Sequence, residues 1–317
     1  MALTLAMFGT AEFAVPILHR ARERASVALA VSTPARPGAR GRVVPSPFAQ
    51  AAAALGIPVR TPVRDEFPDL AREIAAAGVD VLVVAAYGRI LPPTVVAAAP
   101  MAVNVHPSLL PRHRGPAPVA WTLLAGDERT GVTLLGVEPE VDAAPVYDQT
   151  AVEVRPDEDR GALEGRLAEL AANRLAVLLE RIERAPGHRL EGRPQVGEAT
   201  YAPKLTAADE GLSWREGAVA LVRRVRALAP RPGARARGPD GPVLVLWARA
   251  CGRPPALAGA EPGQVAAADD GYPLVATGDG GALRLERVRP AGRGTMDGDA
   301  YLRGRPRLVG ARLEDGP

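Results

Sequence analysis

Between Asp80 and Ala86 the chain runs Val81-Leu82-Val83-Val84 without a polar interruption. A strand with one wet face alternates apolar and polar residues, so an unbroken run of this length suits a strand covered on both faces. Residues 3–8, 27–31, 101–105 and 131–137 are further short β-rich runs. Helical patterns separate them at residues 12–24, 47–56 and 68–77, and one at 157–183 closes this half. Alternation of this kind predicts an α/β fold, a parallel or mixed sheet with flanking helices. Beyond it, Pro186, Gly187, Gly192, Pro194 and Gly197 interrupt all periodicity and read as a linker. A helix at 215–228 follows, then short strand candidates at 243–249, 263–267, 273–277 and 282–288, with Thr277-Gly278-Asp279-Gly280-Gly281 as a hairpin turn. Short strands at that spacing predict a small barrel or sandwich. The expected organisation is residues 1–185, a linker over 186–207, and a smaller domain over 208–317, which suits a chain of 317 residues.

Composition excludes several classes. A hydrophobic share of 47% with 24% charged residues is ordinary for a globular chain and rules out wholesale disorder. No apolar run approaches ~18 residues, so no membrane-spanning helix is expected. Residues 1–9 lack a basic n-region and read as a first strand rather than a signal peptide. Cys251 is the sole cysteine, which excludes a disulfide framework and fits a cytoplasmic protein. His19, His106, His113 and His188 share no metal-ligand spacing, and no metal is expected. Lys204 is the only lysine, and codon bias is the plain reading of the arginine abundance. Residues 205–317 carry 17 arginines against 13 acids, which makes this part a candidate for meeting an anionic partner.

No dinucleotide glycine fingerprint follows the first strand, and no phosphate loop, zinc-protease helix or nucleophile elbow is present. What remains is the block from Val103 to Pro118, Val-Asn-Val-His-Pro-Ser-Leu-Leu-Pro-Arg-His-Arg-Gly-Pro-Ala-Pro. Asn104 and His106 sit two apart at the end of an apolar strand, so both side chains point the same way. In open α/β sheets, ligands bind beyond the carboxyl ends of the strands. Asp142 follows the next strand candidate, and a carboxylate behind an imidazole orients it and favours its charged form. His113 reads as an exposed loop residue and His19 as helix surface. Trp121, Trp214 and Trp247 read as core or interface residues, and Cys251 as inert. Residues 223–237 hold six arginines and no acid.

These pieces resemble the methionyl-tRNA formyltransferases, within the wider folate-dependent formyltransferase family. The matching residues are 9–16, Pro45-Ser46-Pro47, Ala86-Tyr87-Gly88-Arg89-Ile90-Leu91-Pro92, the 104–118 block, 125–127 with 130–133, Tyr201-Ala202-Pro203-Lys204, Val225-Arg226-Ala227, Pro232-Gly233-Ala234, 276–280 and 290–292. The resemblance implies a Rossmann-like N-terminal formyltransferase domain and a smaller C-terminal β-barrel (OB-like) domain that binds tRNA. It implies transfer of a formyl group from 10-formyltetrahydrofolate to the amino group of methionyl initiator tRNA. Asn104, His106 and Asp142 would be catalytic. Tyr87, Gly88, Arg89, Ile90, Leu91, Ser108, Leu109, Leu110, Pro111 and Val141 would meet the folate. Arg36, Arg40 and Arg42 in a basic loop, with Arg223, Arg224 and Arg226, would meet tRNA. No membrane partner is implied, and a monomer is expected.

Some positions depart from the family pattern. Its Asp loop reads Gly-Leu-Asp-Ser/Thr-Gly, whereas this chain has Glu140-Val141-Asp142-Ala143-Ala144. Loss of the second glycine argues against a left-handed backbone there. Loss of the hydroxyl at 143 removes a group that a ligand could meet. His113 stands where an aromatic usually precedes Arg-Gly, Ala35 replaces a common Asp, and Ala229-Pro230-Arg231-Pro232 replaces an Asn-aromatic-Pro-Gly segment. A formyltransferase for another amine, such as an amino sugar, stays open as an alternative. A non-catalytic RNA-binding protein on the same fold is another, and a dinucleotide-dependent oxidoreductase is the least favoured.

Overall fold

The computed structural model describes residues 2–37, 43–252 and 254–316. Two compact units emerge, the first holding residues 1–118, 129–153 and 164–203, the second 119–128, 154–163 and 204–317.

Through the first unit the order is β1 (Thr4–Gly9), α1 (Ala14–Arg24), β2 (Ser26–Val31), β3 (Arg36–Pro37), β4 (Val43–Val44), α2 (Pro47–Ala54), β5 (Val59–Arg60), α3 (Phe67–Ala76), β6 (Val81–Ala85), α4 (Pro93–Val96) and β7 (Met101–His106). Along the chain then come α5 (Pro118–Ala125), which falls almost wholly in the second unit, β8 (Arg129–Leu135), β9 (Val146–Glu153) and α6 (Arg160–Arg184), whose first four residues also belong to the second unit. The main sheet has the order β5-β2-β1-β6-β7-β8-β9. Pairing is parallel from β5 to β7 and antiparallel from β7 to β9, so the sheet is mixed. Ala6 and Phe8 of β1, Leu29 and Val31 of β2, and Leu82 of β6 pack in one cluster with Phe67, Leu70 and Ile74 of α3. The alternate set Leu5, Met7, Val81 and Val83 is equally buried. Both faces of β1 and β6 are therefore covered, as the unbroken Val-Leu-Val-Val run requires. The register sets Gly9 beside Ala85 and Ala85 beside Val105, which brings the carboxyl ends of β1, β6 and β7 level.

Local chemistry sets the helix ends. Ser46 caps α2, accepting from the Ala49 N–H at 3.1 Å, and Pro47 follows it at the first helical position. Helix α1 starts at Ala14, two residues later than the pattern suggested. In α6, Leu163, Leu167, Ala171, Leu175, Leu178 and Ile182 are buried at helical spacing. Strand β9 was invisible in the sequence because only Val146 of it is buried and no period-two pattern survives. The aperiodic stretch read as a linker is bonded into this unit. Arg193 pairs antiparallel with Val146 at 2.7 and 2.9 Å, and Tyr201 bridges to Arg114.

The second unit adds α7 (Ala218–Leu228), β10 (Ala234–Gly238), β11 (Gly241–Cys251), β12 (Val265–Ala267), β13 (Pro273–Ala276), β14 (Ala282–Pro290), β15 (Met296–Asp297), α8 (Gly298–Arg303) and β16 (Glu314–Asp315). Its ladder runs β12-β13-β14-β11-β10-β16, all antiparallel. Residues 310–313 return to β12: the Val265 N–H donates to Ala311 O at 2.9 Å, and the Leu313 N–H to Gly263 O at 2.8 Å. The following β16 pairs with β10, so the ladder closes into a small barrel. Trp214, Leu221, Val225, Val245, Val275, Leu283, Leu285 and Leu313 fill it. The 277–281 turn joins β13 to β14, and Asp279 there accepts the Ala218 N–H at the start of α7 at 3.1 Å. Strand β10 escaped the sequence reading because arginines alternate with its small buried residues, Ala234 and Ala236. Among the described residues, no helix is long and apolar enough to cross a membrane.

Candidate active site

Asn104 and His106 end β7, at the level where β1 and β6 also stop. Asn104 is half-buried and His106 is buried. The antiparallel partner β8 sets Leu135 opposite Asn104, so the loop between β8 and β9 starts beside the site. That loop delivers Asp142. Its carboxylate accepts from the Asn104 amide at 2.9 Å and from the Gly115 N–H at 2.8 Å, and it faces His106 Nδ1 at 3.4 Å. The amide, imidazole and carboxylate come together from two separate segments; the strand period predicted the shared side of Asn104 and His106, while the approach of Asp142 is given by the structure.

The imidazole has acceptors on both sides, because His106 Nε2 also lies 2.9 Å from the backbone carbonyl of His113. A neutral ring carries one N–H. The shorter contact places that hydrogen on Nε2, which leaves the Nδ1 lone pair toward Asp142. Burial pushes the His106 pKa below its ordinary value, while the Asp142 charge and the His113 carbonyl pull it back up. Burial thus favours the neutral ring, and the gap between Nδ1 and Oδ2 is a place to put a proton.

The loop is built without the family's glycines. Asp142 itself takes the left-handed conformation, with φ +55°, which Asp tolerates better than most residues. Ala143 and Ala144 have no positive φ. Ala144 is buried in a cluster with Leu110, Leu135 and Val146, so its methyl fills space rather than straining the turn. Gln195 covers the carbonyls of Asp142 and Ala144, donating at 2.8 and 3.0 Å. Arg114 donates to Gln195 Oε1 at 3.2 and 2.8 Å and to Glu140 at 3.1 Å.

The remaining expected residues divide by place. Ile90 exposes three-quarters of its surface and Val141 about half, and Gly88, with φ +77°, has open space where a side chain would begin. The Arg89 guanidinium donates to Pro62 O at 2.9 Å. The Tyr87 ring faces the core, edge-on to Phe8 at 5.4 Å, and burial raises its pKa. Leu91 is also buried. Ser108 is fully buried, and its hydroxyl donates to Arg112 O at 2.7 Å. Thr133 ties the same turn, donating to Ser108 O at 2.7 Å and accepting the Leu110 N–H at 3.2 Å. Leu109 is half-buried, and Leu110 and Pro111 are buried. The expectation for His113 is corrected: it is 6% exposed, held at φ +59°, with its N–H donated to Thr200 Oγ1 at 2.9 Å. A buried backbone carbonyl at 113 is what His106 needs, and an exposed loop could not supply it.

Among the arginines, the backbone of Arg36 pairs with Val44, while Arg40 and Arg42 lie outside the described residues. Arg223 rests against Gly126. Arg224 is bonded to both oxygens of Glu216 at 2.9 and 3.1 Å. Arg226 donates to Glu158 O at 2.7 Å and Arg155 O at 2.6 Å, and burial lowers its pKa. These last two serve the interior of the second unit. Sequence reasoning missed Arg289 and Arg293, which join Arg235 and Arg237 along a groove of about 530 Å³ on the barrel. The signal was present in the Arg-x-Arg spacing of Arg287 and Arg289, a strand period that sends both to one face.

Residues 2–179 match the formyl transferase family model, and residues 204–306 match that of the formyl transferase C-terminal domain. A methionyl-tRNA formyltransferase of Halorhodospira halophila is 44% identical over 313 residues, covering 98% of each chain. One from Thermus thermophilus is 39% identical over 313 residues, covering 98% of this chain and 99% of that one. Among solved structures, a HypX variant from Aquifex aeolicus superposes with a TM-score of 0.64 at 19% identity, covering 97% of this chain and 48% of that longer one. HypX in complex with tetrahydrofolic acid gives 0.59 at 20% identity, covering 95% of this chain and 47% of that one. At that identity the likeness concerns the fold.

Proposed function

Because this chain belongs to the formyl transferase family, we propose that it moves a formyl group from 10-formyltetrahydrofolate to the amino group of methionyl initiator tRNA. The observation that carries the mechanism is the Asp142 carboxylate held between Asn104, Gly115 and His106 at the carboxyl end of the sheet.

Attack by an amine on a formyl carbon creates an oxyanion, an ammonium and a poor nitrogen leaving group. One hydrogen of the Asn104 amide goes to Asp142. The other has no protein acceptor among the described residues, and it donates to the oxyanion. One such donor is worth ~3–4 kcal/mol in the transition state. Asp142 and His106 together take the ammonium proton into the Nδ1–Oδ2 gap and return it to the leaving nitrogen. Positioned proton transfer of this kind contributes ~10²–10⁴-fold. No protein nucleophile is required. Exposed Ile90 and Val141 suit packing against a flat pterin, with the open backbone at Gly88 beside them. By the family resemblance, Arg36, Arg40 and Arg42 would meet the tRNA. On the second unit, Arg237, Arg289 and Arg293 suit a phosphate backbone better than Arg224 and Arg226, which are already bonded.

The test is formylation of charged initiator tRNA with 10-formyltetrahydrofolate as donor. Formylmethionyl-tRNA is expected from the wild-type chain, and neither Asn104→Ala nor His106→Ala should yield appreciable product. Formylation of an amino sugar but not of charged tRNA would overturn the acceptor. Binding of tRNA with no turnover would overturn the reaction.

A further inference from the structure

Gln195 lies in the aperiodic segment after α6, far in sequence from every residue assigned above, yet all of its hydrogen-bonding capacity points at the site. Both amide hydrogens are used on the Asp142 loop, at Asp142 O (2.8 Å) and Ala144 O (3.0 Å). The amide oxygen accepts from Arg114 Nε (3.2 Å) and Nη2 (2.8 Å). A guanidinium only donates, so the amide orientation is fixed and cannot be flipped. Arg114 is tied to the site from its own side. Its N–H donates to Thr200 O at 2.8 Å, and its carbonyl accepts the Ala202 N–H at 2.7 Å. The next residue, Gly115, donates to Asp142 Oδ2 at 2.8 Å.

The loop needs this support. Between Glu140 and Ala144 there is no glycine. Among the described residues, the backbone bond within the turn is the Ala143 N–H to Glu140 O at 3.4 Å, which is long. Asp142 stands in a left-handed conformation that turns its carbonyl away from any strand partner. Without Gln195 that carbonyl and the one at Ala144 lose their side-chain partner, and the carboxylate loses its fixed distance to His106 Nδ1.

We propose that Gln195, oriented by Arg114, is a positioning residue for formyl transfer, holding Asp142 at the distance from His106 that proton transfer requires. This rests on the formyl-transfer reading of the site. Outer partners of metal-ligating side chains typically carry about 10- to 100-fold in affinity or activity, and the same scale is expected of a group that fixes a carboxylate beside an imidazole.

Two near-isosteric variants test it in the full chain. Gln195→Met keeps the packing and removes both donors together with the acceptor for Arg114. Gln195→Glu keeps the bond to Arg114 but sets an acceptor against two carbonyls. Both are expected to lower kcat for charged tRNA about 10- to 100-fold, with KM for tRNA within about twofold of wild type. In Gln195→Met, which adds no charge, the acid limb of the kcat profile should also move to lower pH, because a carboxylate drifting from His106 supports the ring proton less. A merely structural residue would lower the rate by one factor at every pH and leave the limb in place, and that result overturns the proposal. Wild-type kcat in both variants overturns it too. A wild-type chain that formylates no charged tRNA removes the formyl-transfer reading and this inference together. A wild-type chain that does so, beside fully active Gln195 variants, removes the inference alone.

Discussion

Replacing Asp142 by Asn changes one charge and almost no volume, and its consequences can be worked out from three contacts. The carboxylate accepts from Asn104 at 2.9 Å and from Gly115 at 2.8 Å, and it faces His106 Nδ1 at 3.4 Å. An amide presents one acceptor and one donor pair. Whichever way Asn is turned at 142, its NH₂ meets a donor, either the Asn104 amide or the Gly115 N–H. The stability cost is that of one hydrogen bond to a charged group, about 1.5–3 kcal/mol. Even on a native stability of ~5 kcal/mol, the lower end of the usual range, a loss of 3 leaves about 97% of the chain folded at 25 °C. Unfolding therefore explains almost none of a large rate loss. On the proposed mechanism chemistry explains the rest, since the substitution removes the proton acceptor, worth ~10²–10⁴-fold. The assay is kcat for formylation of charged tRNA at neutral pH, paired with a urea titration of the same sample. The expected result is a kcat loss of at least ~10² with a modest fall in the unfolding midpoint. A kcat within about threefold of wild type would refute the assignment of Asp142 to proton transfer. So would a loss that lies wholly in KM.

Other consequences follow from the same geometry. Burial holds the folded-state pKa of His106 below its unfolded value, so the unfolded chain binds the extra proton first. This contribution to stability is present above the ordinary histidine pKa of ~6.5 and is lost as pH falls from there through the folded pKa. His106→Asn should flatten that slope, as urea midpoints across the acid range will report; an unchanged slope would contradict a buried neutral ring. A methyl at Gly131 would sit 2.1 Å from Thr150 O and 2.6 Å from Leu109 Cδ2. Gly131→Ala should thus cost about 1–3 kcal/mol by chemical denaturation. Neutralising Arg237 or Arg293 should weaken tRNA binding and reduce the slope of log affinity against log salt by about one each. Arg224→Gln should instead leave the salt slope in place and lower stability, since Glu216 already holds that guanidinium.

The first half of the fold was legible because burial on both faces writes itself as an unbroken apolar run, and β6 carries one. Asn104 and His106 were legible because a strand's period of two puts them together without knowledge of anything distant. Asp142 was proposed from its place after β8, but its arrival beside His106 depends on the register of an antiparallel pair, which no local pattern encodes. Strand β9 was hidden by its half-exposed, mixed residues. Gln195 was hidden more deeply. Its segment has the glycine and proline content of a linker, and hydrogen bonds to carbonyls leave no trace in hydropathy. The arginines misled in the opposite sense. A run from 223 to 237 looks like one electrostatic surface, yet helical and strand periods distribute it between interior carbonyls and an external groove.

That division has a physical reason. A guanidinium offers five donors on a long apolar stem, so in a chain almost without lysine it is used wherever a carbonyl or carboxylate needs a partner. Arg114 orients an amide, Arg226 closes two backbone carbonyls, Arg174 pairs with Asp148 at 2.7 Å, and only the remainder is free to meet phosphate. Net charge is then a poor guide to affinity for nucleic acid. The useful quantity is the number of arginines left after internal acceptors are satisfied. On the barrel groove that leaves Arg237, Arg289 and Arg293, since Arg235 is drawn to Glu210 at 2.7 Å. If these three carry the phosphate contacts, replacing all of them should remove about three units of salt slope while the urea midpoint stays near wild type. An unchanged slope would place the tRNA surface elsewhere.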